Sequence, residues 1–116
     1  MEHGKKTRKF GRTSKLRKEL MRDLAQSLIF NGKIMTTQAK AKSLRPYIEK
    51  AVTKSKTSSI ATTRLLISDL GKKAAMKLTK EIGPKFEDQK GGYTTISNLP
   101  RRISDGARMA MIQFIK

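Results

Sequence analysis

A formal charge of +18 at pH 7, from 27 Lys and Arg against 9 Asp and Glu, most tightly constrains what this 116-residue chain can be. A small soluble domain ordinarily carries a net charge of about 2–8, and the self-repulsion of a larger charge is relieved by a polyanionic partner. The length fits one compact domain with a short extension. An apolar content of 36% allows one modest core. The residue inventory removes most chemistry. Without Cys there is no disulfide, thiolate metal site, iron–sulfur cluster or Cys nucleophile. The one His, at position 3, supports neither a multi-His metal site nor a His-based triad. No phosphate-binding P-loop or G-x-G-x-x-G occurs, and Gly91-Gly92 is a turn signal. Asp69, Glu81, Glu87 and Asp88 have lysines close in sequence, the usual setting of solvated acids. The chain is therefore expected to lack catalysis, a small-molecule substrate, a metal and any other cofactor.

Membrane readings fail on length. The longest strictly apolar run is Met109-Ala110-Met111-Ile112, against the roughly 20 residues of a spanning helix. No apolar stretch follows the basic start, so it is not a secretory signal, although an acid-poor, Arg-rich start is also the composition of an organellar transit peptide. A soluble, intracellular protein is expected.

Charge is concentrated at the N-terminus. Lys5, Lys6, Arg8, Lys9, Arg12, Lys15, Arg17, Lys18 and Arg22 face only Glu2 and Glu19 within residues 1–22. Residues 1–12 have Phe10 as their one large apolar side chain besides Met1 and show no helical period. Such a segment cannot offset its ordering entropy by burial. It is read as a basic arm that orders against nucleic acid, with residues 13–116 as one globular domain.

Four helices are expected in that domain. Ser14 is a good N-cap for the first, and Leu16, Leu20, Met21, Leu24 and Leu28 trace its apolar stripe at steps of three and four. Lys15, Lys18 and Arg22 fall opposite, and Asn31-Gly32 is the expected stop. Arg17 lands among the leucines, so it either snorkels out of the apolar surface or reaches a ligand. Residues 33–37 read weakly as a strand. The next period is Ala41, Leu44, Ile48, Ala51 or Val52, and Ser55, interrupted by Pro46, which implies one kinked helix or two short ones. A third helix over residues 59–70 turns Ile60, Leu66 and Leu70 inward. A fourth over 72–82 buries Ala75, Leu78 and Ile82 and ends at Gly83-Pro84.

The last third changes character. Tyr93-Thr94-Thr95-Ile96-Ser97 is β-forming, and residues 109–115 are apolar on both faces, as in a strand covered on both sides or central in its sheet. Between them lies a turn-rich loop carrying Arg101, Arg102 and Arg108. Helices followed by a strand pair make an α+β domain the natural expectation.

Nucleic-acid binding has the broadest support. Basic groups recur in the arm, on the polar side of helix one, at Lys40, Lys42 and Arg45, and at Arg101 and Arg102. Each cation that neutralises a phosphate releases counterions, whatever the base sequence. Phe30, Phe86 and Phe114 are expected in the core. Tyr93 is open to core packing or an RNA contact and is retained as a candidate contact. The candidate RNA-binding set is Lys5, Lys6, Arg8, Lys9, Arg12, Lys15, Arg17, Arg22, Lys40, Lys42, Arg45, Tyr93, Arg101 and Arg102. Two rivals are a DNA-packaging protein, for which no dimerising heptad or helix-turn-helix is evident, and a membrane-active cationic protein.

Several motifs in order resemble one family. Arg8-Lys9-Phe10-Gly11-Arg12-Thr13-Ser14 with Arg17, Leu20, Met21, Arg22 and Leu24, then Ser27-Leu28-Ile29, form the first block. Ile34-Met35-Thr36-Thr37-Gln38-Ala39-Lys40-Ala41-Lys42, Leu44-Arg45-Pro46, Glu49 and Thr53-Lys54-Ser55-Lys56 form the second. Gly83-Pro84-Lys85-Phe86, Gly91-Gly92-Tyr93-Thr94, Arg101-Arg102, Asp105, Ala107 and Met109-Ala110 form the third. Together they are similar to the bacterial-type large-subunit ribosomal protein seventeen family over essentially the whole chain. Residues 57–82 match least, and Glu2 and Thr95 stand where basic residues are frequent. The resemblance implies about four helices packed on a small three-stranded sheet, with helix two running on through Pro46 with a kink. It also implies a structural constituent of the large ribosomal subunit, cytoplasmic or organellar, bound to large-subunit rRNA near the nascent-chain exit. Large-subunit protein thirty-two is the implied protein neighbour.

Overall fold

A computed structural model describes residues 14–57 and 59–116. Helix α1, Ser14–Asn31, buries Ala25, Leu28 and Ile29 and packs Leu24 against the core. Its first turns run past that core, so Leu16 stays 47% exposed and the buried part of the stripe is the C-terminal half alone. Ser14 is the first helical residue, and its hydroxyl accepts from Arg17 Nη2 at 3.1 Å. Phe30, expected in the core, instead points away from the packed face and is 45% exposed. Gly32, at φ +81°, stops α1 with its N–H on the Leu28 carbonyl.

Strand β1, Lys33–Thr37, turns directly into α2, Gln38–Ser55, because the Thr37 hydroxyl accepts from the Lys40 N–H and caps the helix. Helix α2 is unbroken through Pro46. Pro46 removes the helical partner of the Lys42 carbonyl, but both residues lie on the exposed side, where water can take its place. Ala41, Leu44, Ile48, Ala51, Val52 and Ser55 form the buried face, as the periodicity predicts.

Helix α3, Ile60–Leu70, is capped by Ser59 and buries Leu66 and Leu70. Ile60, expected inward, is 72% exposed, since the first helical residue precedes the turn that reaches the core. Gly71, at φ +88°, separates α3 from α4, Lys72–Lys77. The π-helical segment Leu78–Ile82 and the short α5, Gly83–Lys85, continue α4 without a gap. Gly83-Pro84 is therefore not a stop. Proline tolerates the start of a helical turn, where its missing N–H costs little, and Gly83 serves close packing. A Cβ there would stand 2.8 Å from Ser55 Oγ on α2.

Strands β2, Thr94–Leu99, and β3, Met109–Phe114, complete an antiparallel sheet in the order β1-β3-β2. The doubly apolar β3 is the central strand, with Ile34, Ile112 and Ile96 aligned across the sheet. Helices cover one face, where Ala110 and Ile112 are buried and Ile34, Ile96 and Phe114 pack. Met35, 65% exposed, marks the open face. The architecture is α+β, four helical segments on a three-stranded sheet. Phe86 and Tyr93 are the largest side chains fully inside the core, with ring centroids 5.0 Å apart.

Candidate nucleic-acid interface

Helix periodicity builds the site. Lys15, Lys18 and Arg22 recur at three and four residues along α1, and Lys42, Pro46, Lys50 and Lys54 at four along α2. Because the apolar stripes of both helices turn to the core, these polar stripes flank a common groove of about 870 Å³ that α3 closes at one side. Lys15, Arg17, Lys18, Arg22, Lys42, Lys50 and Lys54 line it against two carboxylates, Glu19 and Asp69. Met21, Pro46, Tyr47, Ala51 and Leu66 supply apolar lining. Charges of one sign in a concave, low-dielectric wall concentrate field and attract a polyanion.

Neighbours order parts of this groove. Arg17 is half-buried and hydrogen-bonds to Ser14. Gln26 Nε2 donates to the Leu70 carbonyl at 2.7 Å, tying α1 to the end of α3. The Tyr47 phenol is pushed above its ordinary value by burial and then by Asp69, with Arg22 opposing, so Tyr47 is neutral at physiological pH.

Of the candidates read from sequence, Lys15, Arg17, Arg22 and Lys42 converge on the groove. Lys40 is half-buried in the first turn of α2, and Arg45 is exposed outside the groove lining, its Nε 4.0 Å from Glu49 Oε2. Arg101 and Arg102 lie in the β2–β3 connection. There Arg101 Nη1 reaches the Gly106 carbonyl at 3.4 Å and Arg102 Nε lies 3.1 Å from Asp105 Oδ1. Asp105 also accepts from the Ala107 N–H, which leads in holding its carboxyl below the usual range; Arg102 adds to that effect. Lys5, Lys6, Arg8, Lys9 and Arg12 fall outside the described residues.

Tyr93 is not an RNA contact in this fold, because it is fully buried. Its hydroxyl donates to the Gln89 carbonyl and lies 3.1 Å from Thr53 Oγ1. Lys56 Nζ stands 5.0 Å over the ring and bonds to the Phe86 and Gln89 carbonyls. Burial raises the Tyr93 phenol, but the Lys56 and Thr53 contacts outweigh it and leave it below its ordinary value.

Lys18, Lys50 and Lys54 also line the groove, beyond the contacts that the sequence singles out. The signal for the last two was the four-residue step they share with Lys42 and Pro46. Glu49 also acquires a definite role. Its carboxylate accepts from the Gly92 N–H, the Thr94 N–H and the Thr94 hydroxyl at 3.0, 3.1 and 2.9 Å, fastening α2 to the start of β2. An acid isolated within a lysine-rich helix was the available clue.

The pattern of ribosomal protein L17 matches residues 20–115. The chain belongs to the ribosomal protein L17 family. It is 48% identical over 120 residues to the large ribosomal subunit protein bL17 of Nautilia profundicola, covering 99% of this chain and 98% of that protein. The Gemmatimonas aurantiaca protein of the same name is 47% identical over 116 residues, with the same two coverages. That of a Sulfurihydrogenibium species is 46% identical, covering 100% and 98%. The L17 family is structural rather than enzymatic. Among the described residues, no cluster of three or more His, Cys, Asp or Glu could hold a metal, and no helix is long and apolar enough to cross a membrane.

Proposed function

We propose that this chain is a constituent of the large ribosomal subunit that binds large-subunit rRNA and supports subunit assembly near the nascent-chain exit. The observation that carries this reading is the groove, with seven cations against two carboxylates on converging helix faces. Counterion release from rRNA phosphates drives association there. The names of the relatives supply the large subunit as the setting.

Arg17, Arg22 and Arg45 are the contacts of longest residence, because a guanidinium forks onto phosphate and a helix-borne side chain loses less freedom on binding. Lys40 and Arg45 extend the contact outside the groove, with Arg101 and Arg102 as secondary contacts. Residues 1–12, with Lys5, Lys6, Arg8, Lys9 and Arg12, act as an arm that orders between RNA helices and screens their repulsion; residues 13–116 form the domain that carries it. Large-subunit protein thirty-two is the proposed protein neighbour.

The test is sedimentation of a cell lysate through a sucrose gradient, followed by quantitative mass spectrometry at low and high salt. Near one copy per large subunit, retained through the high-salt wash, is expected. Protein that stays at the top, or leaves in moderate salt, would overturn the integral role in favour of loose electrostatic binding.

A further inference from the structure

The groove is not uniformly suited to phosphate. Its cations stand on the flanking helices, whereas Met21, Pro46 and Tyr47 offer it apolar surface, and Asp69 adds a carboxylate from the end of α3. Asp69 sits close enough to Tyr47 to help raise its phenol, and among the described residues no ion pair closes on it. A carboxylate facing phosphate is repulsive. The same group accepts hydrogen bonds from the amino and imino N–H groups of a nucleobase. A duplex would present phosphate rows here and keep its base faces stacked inside, leaving the apolar lining and Asp69 without partners.

We infer that the groove takes a single unpaired strand of RNA, phosphates on the lysine rims and a base turned inward against Pro46, Tyr47 and Asp69. This rests on the rRNA-binding reading above and narrows it to one form of RNA. Lys50 and Lys54 are one helical turn apart, about 6 Å along the axis, so each meets a different phosphate of an extended strand. Apolar and aromatic surface then takes the base, as single-strand binding grooves do without reading a particular sequence. A volume of about 870 Å³ lies within the roughly 300–1,000 Å³ of sites that enclose small organic groups.

The test titrates the full chain with a short unstructured RNA strand and with the blunt RNA duplex of the same sequence at matched salt, read by fluorescence anisotropy. The strand is expected to bind about tenfold tighter. Lys50→Glu with Lys54→Glu, both exposed positions, is expected to remove most of that preference while far-UV circular dichroism stays unchanged. Asp69→Asn, which keeps an acceptor but loses the charge, is expected to narrow the preference by admitting duplex phosphates. Equal or tighter duplex binding, or strand binding indifferent to the Lys50 and Lys54 reversals, would overturn the single-strand inference while leaving rRNA binding in place. Failure to bind either RNA would remove both.

Discussion

The groove and the β2–β3 connection both concentrate basic side chains, yet they use them differently. In the connection, Arg102 is tied to Asp105 and Arg101 reaches the Gly106 carbonyl, within a turn closed by the Arg102 N–H on the Ala107 carbonyl. In the groove, the side chains of Lys18, Lys42, Lys50 and Lys54 make no hydrogen bond or ion pair among the described residues. Similar charge density thus closes a turn in one place and is left for a partner in the other. Charge locates candidates, and the neighbouring carboxylates and carbonyls decide which of them are occupied.

Charge reversal should separate the two regions most sharply. Replacing Lys18, Lys50 and Lys54 together by Glu is expected to weaken RNA binding about 100-fold at fixed salt, since each removes a phosphate contact and adds a repulsion. Replacing Arg101 and Arg102 together by Ala is expected to change it by no more than about threefold, as exposed charges with local partners contribute little. Anisotropy titrations of both variants make the comparison, and equal losses would erase it.

Helix α2 presents Lys50 to the groove and Glu49 to the sheet, so stability and binding should divide between adjacent residues. Glu49→Ala strands the Gly92 and Thr94 N–H groups and is expected to cost about 2 kcal/mol in urea unfolding. Lys50→Ala should leave the unfolding midpoint nearly unchanged. A smaller loss, about 1 kcal/mol, is expected for Gly83→Ala. The added methyl meets Ser55 Oγ at 2.8 Å and the Leu78 carbonyl oxygen at 3.2 Å, and this crowding outweighs the helix propensity gained from Ala.

The weakest effect is spectroscopic. The chain's two tyrosines sit on opposite sides of the ordinary phenol value of 10.0, Tyr93 below it and Tyr47 above. Ultraviolet titration of the folded protein should show two waves, the first abolished by Tyr93→Phe and the second by Tyr47→Phe. A raised folded pKa means that Tyr47 weakens the fold only as pH climbs past the unfolded value, leaving neutral pH unaffected. A single wave would deny that the two phenols occupy different environments.

Much of the fold was legible because burial follows period. The inward face of α2 and the limits of β1 match their patterns, and β3 is central because it is apolar at every position but Gln113. The misses occur where a pattern outruns the core. Leu16 and Ile60 obey the helical period but belong to first turns that project past the packed interior, and Phe30 is apolar on an outward face. Gly83-Pro84 carries a stop signal whose glycine is instead required by the approach of Ser55. Half of the site was legible for a related reason. Local periodicity groups Lys15, Lys18 and Arg22 and sets Arg17 among the leucines, but the meeting of that stripe with Lys50 and Lys54 depends on how α1 and α2 pack. Tyr93 shows the converse, since its place after Gly91-Gly92 leaves core packing and an RNA contact equally open, and only the closure of Phe86, Thr53 and Lys56 around the ring decides for the core.

The chain has no cysteine, so one introduced thiol gives one attachment point for a hydroxyl-radical source. Ser68→Cys places it on the groove, and Ile103→Cys at a fully exposed position of the β2–β3 connection. Both variants keep every Lys and Arg. With each assembled into large subunits, rRNA scission should be strong and localised from Ser68→Cys and weaker from Ile103→Cys. Scission from Ile103→Cys alone, with none from Ser68→Cys, would contradict the assignment of the groove as the principal RNA-binding surface of the globular domain.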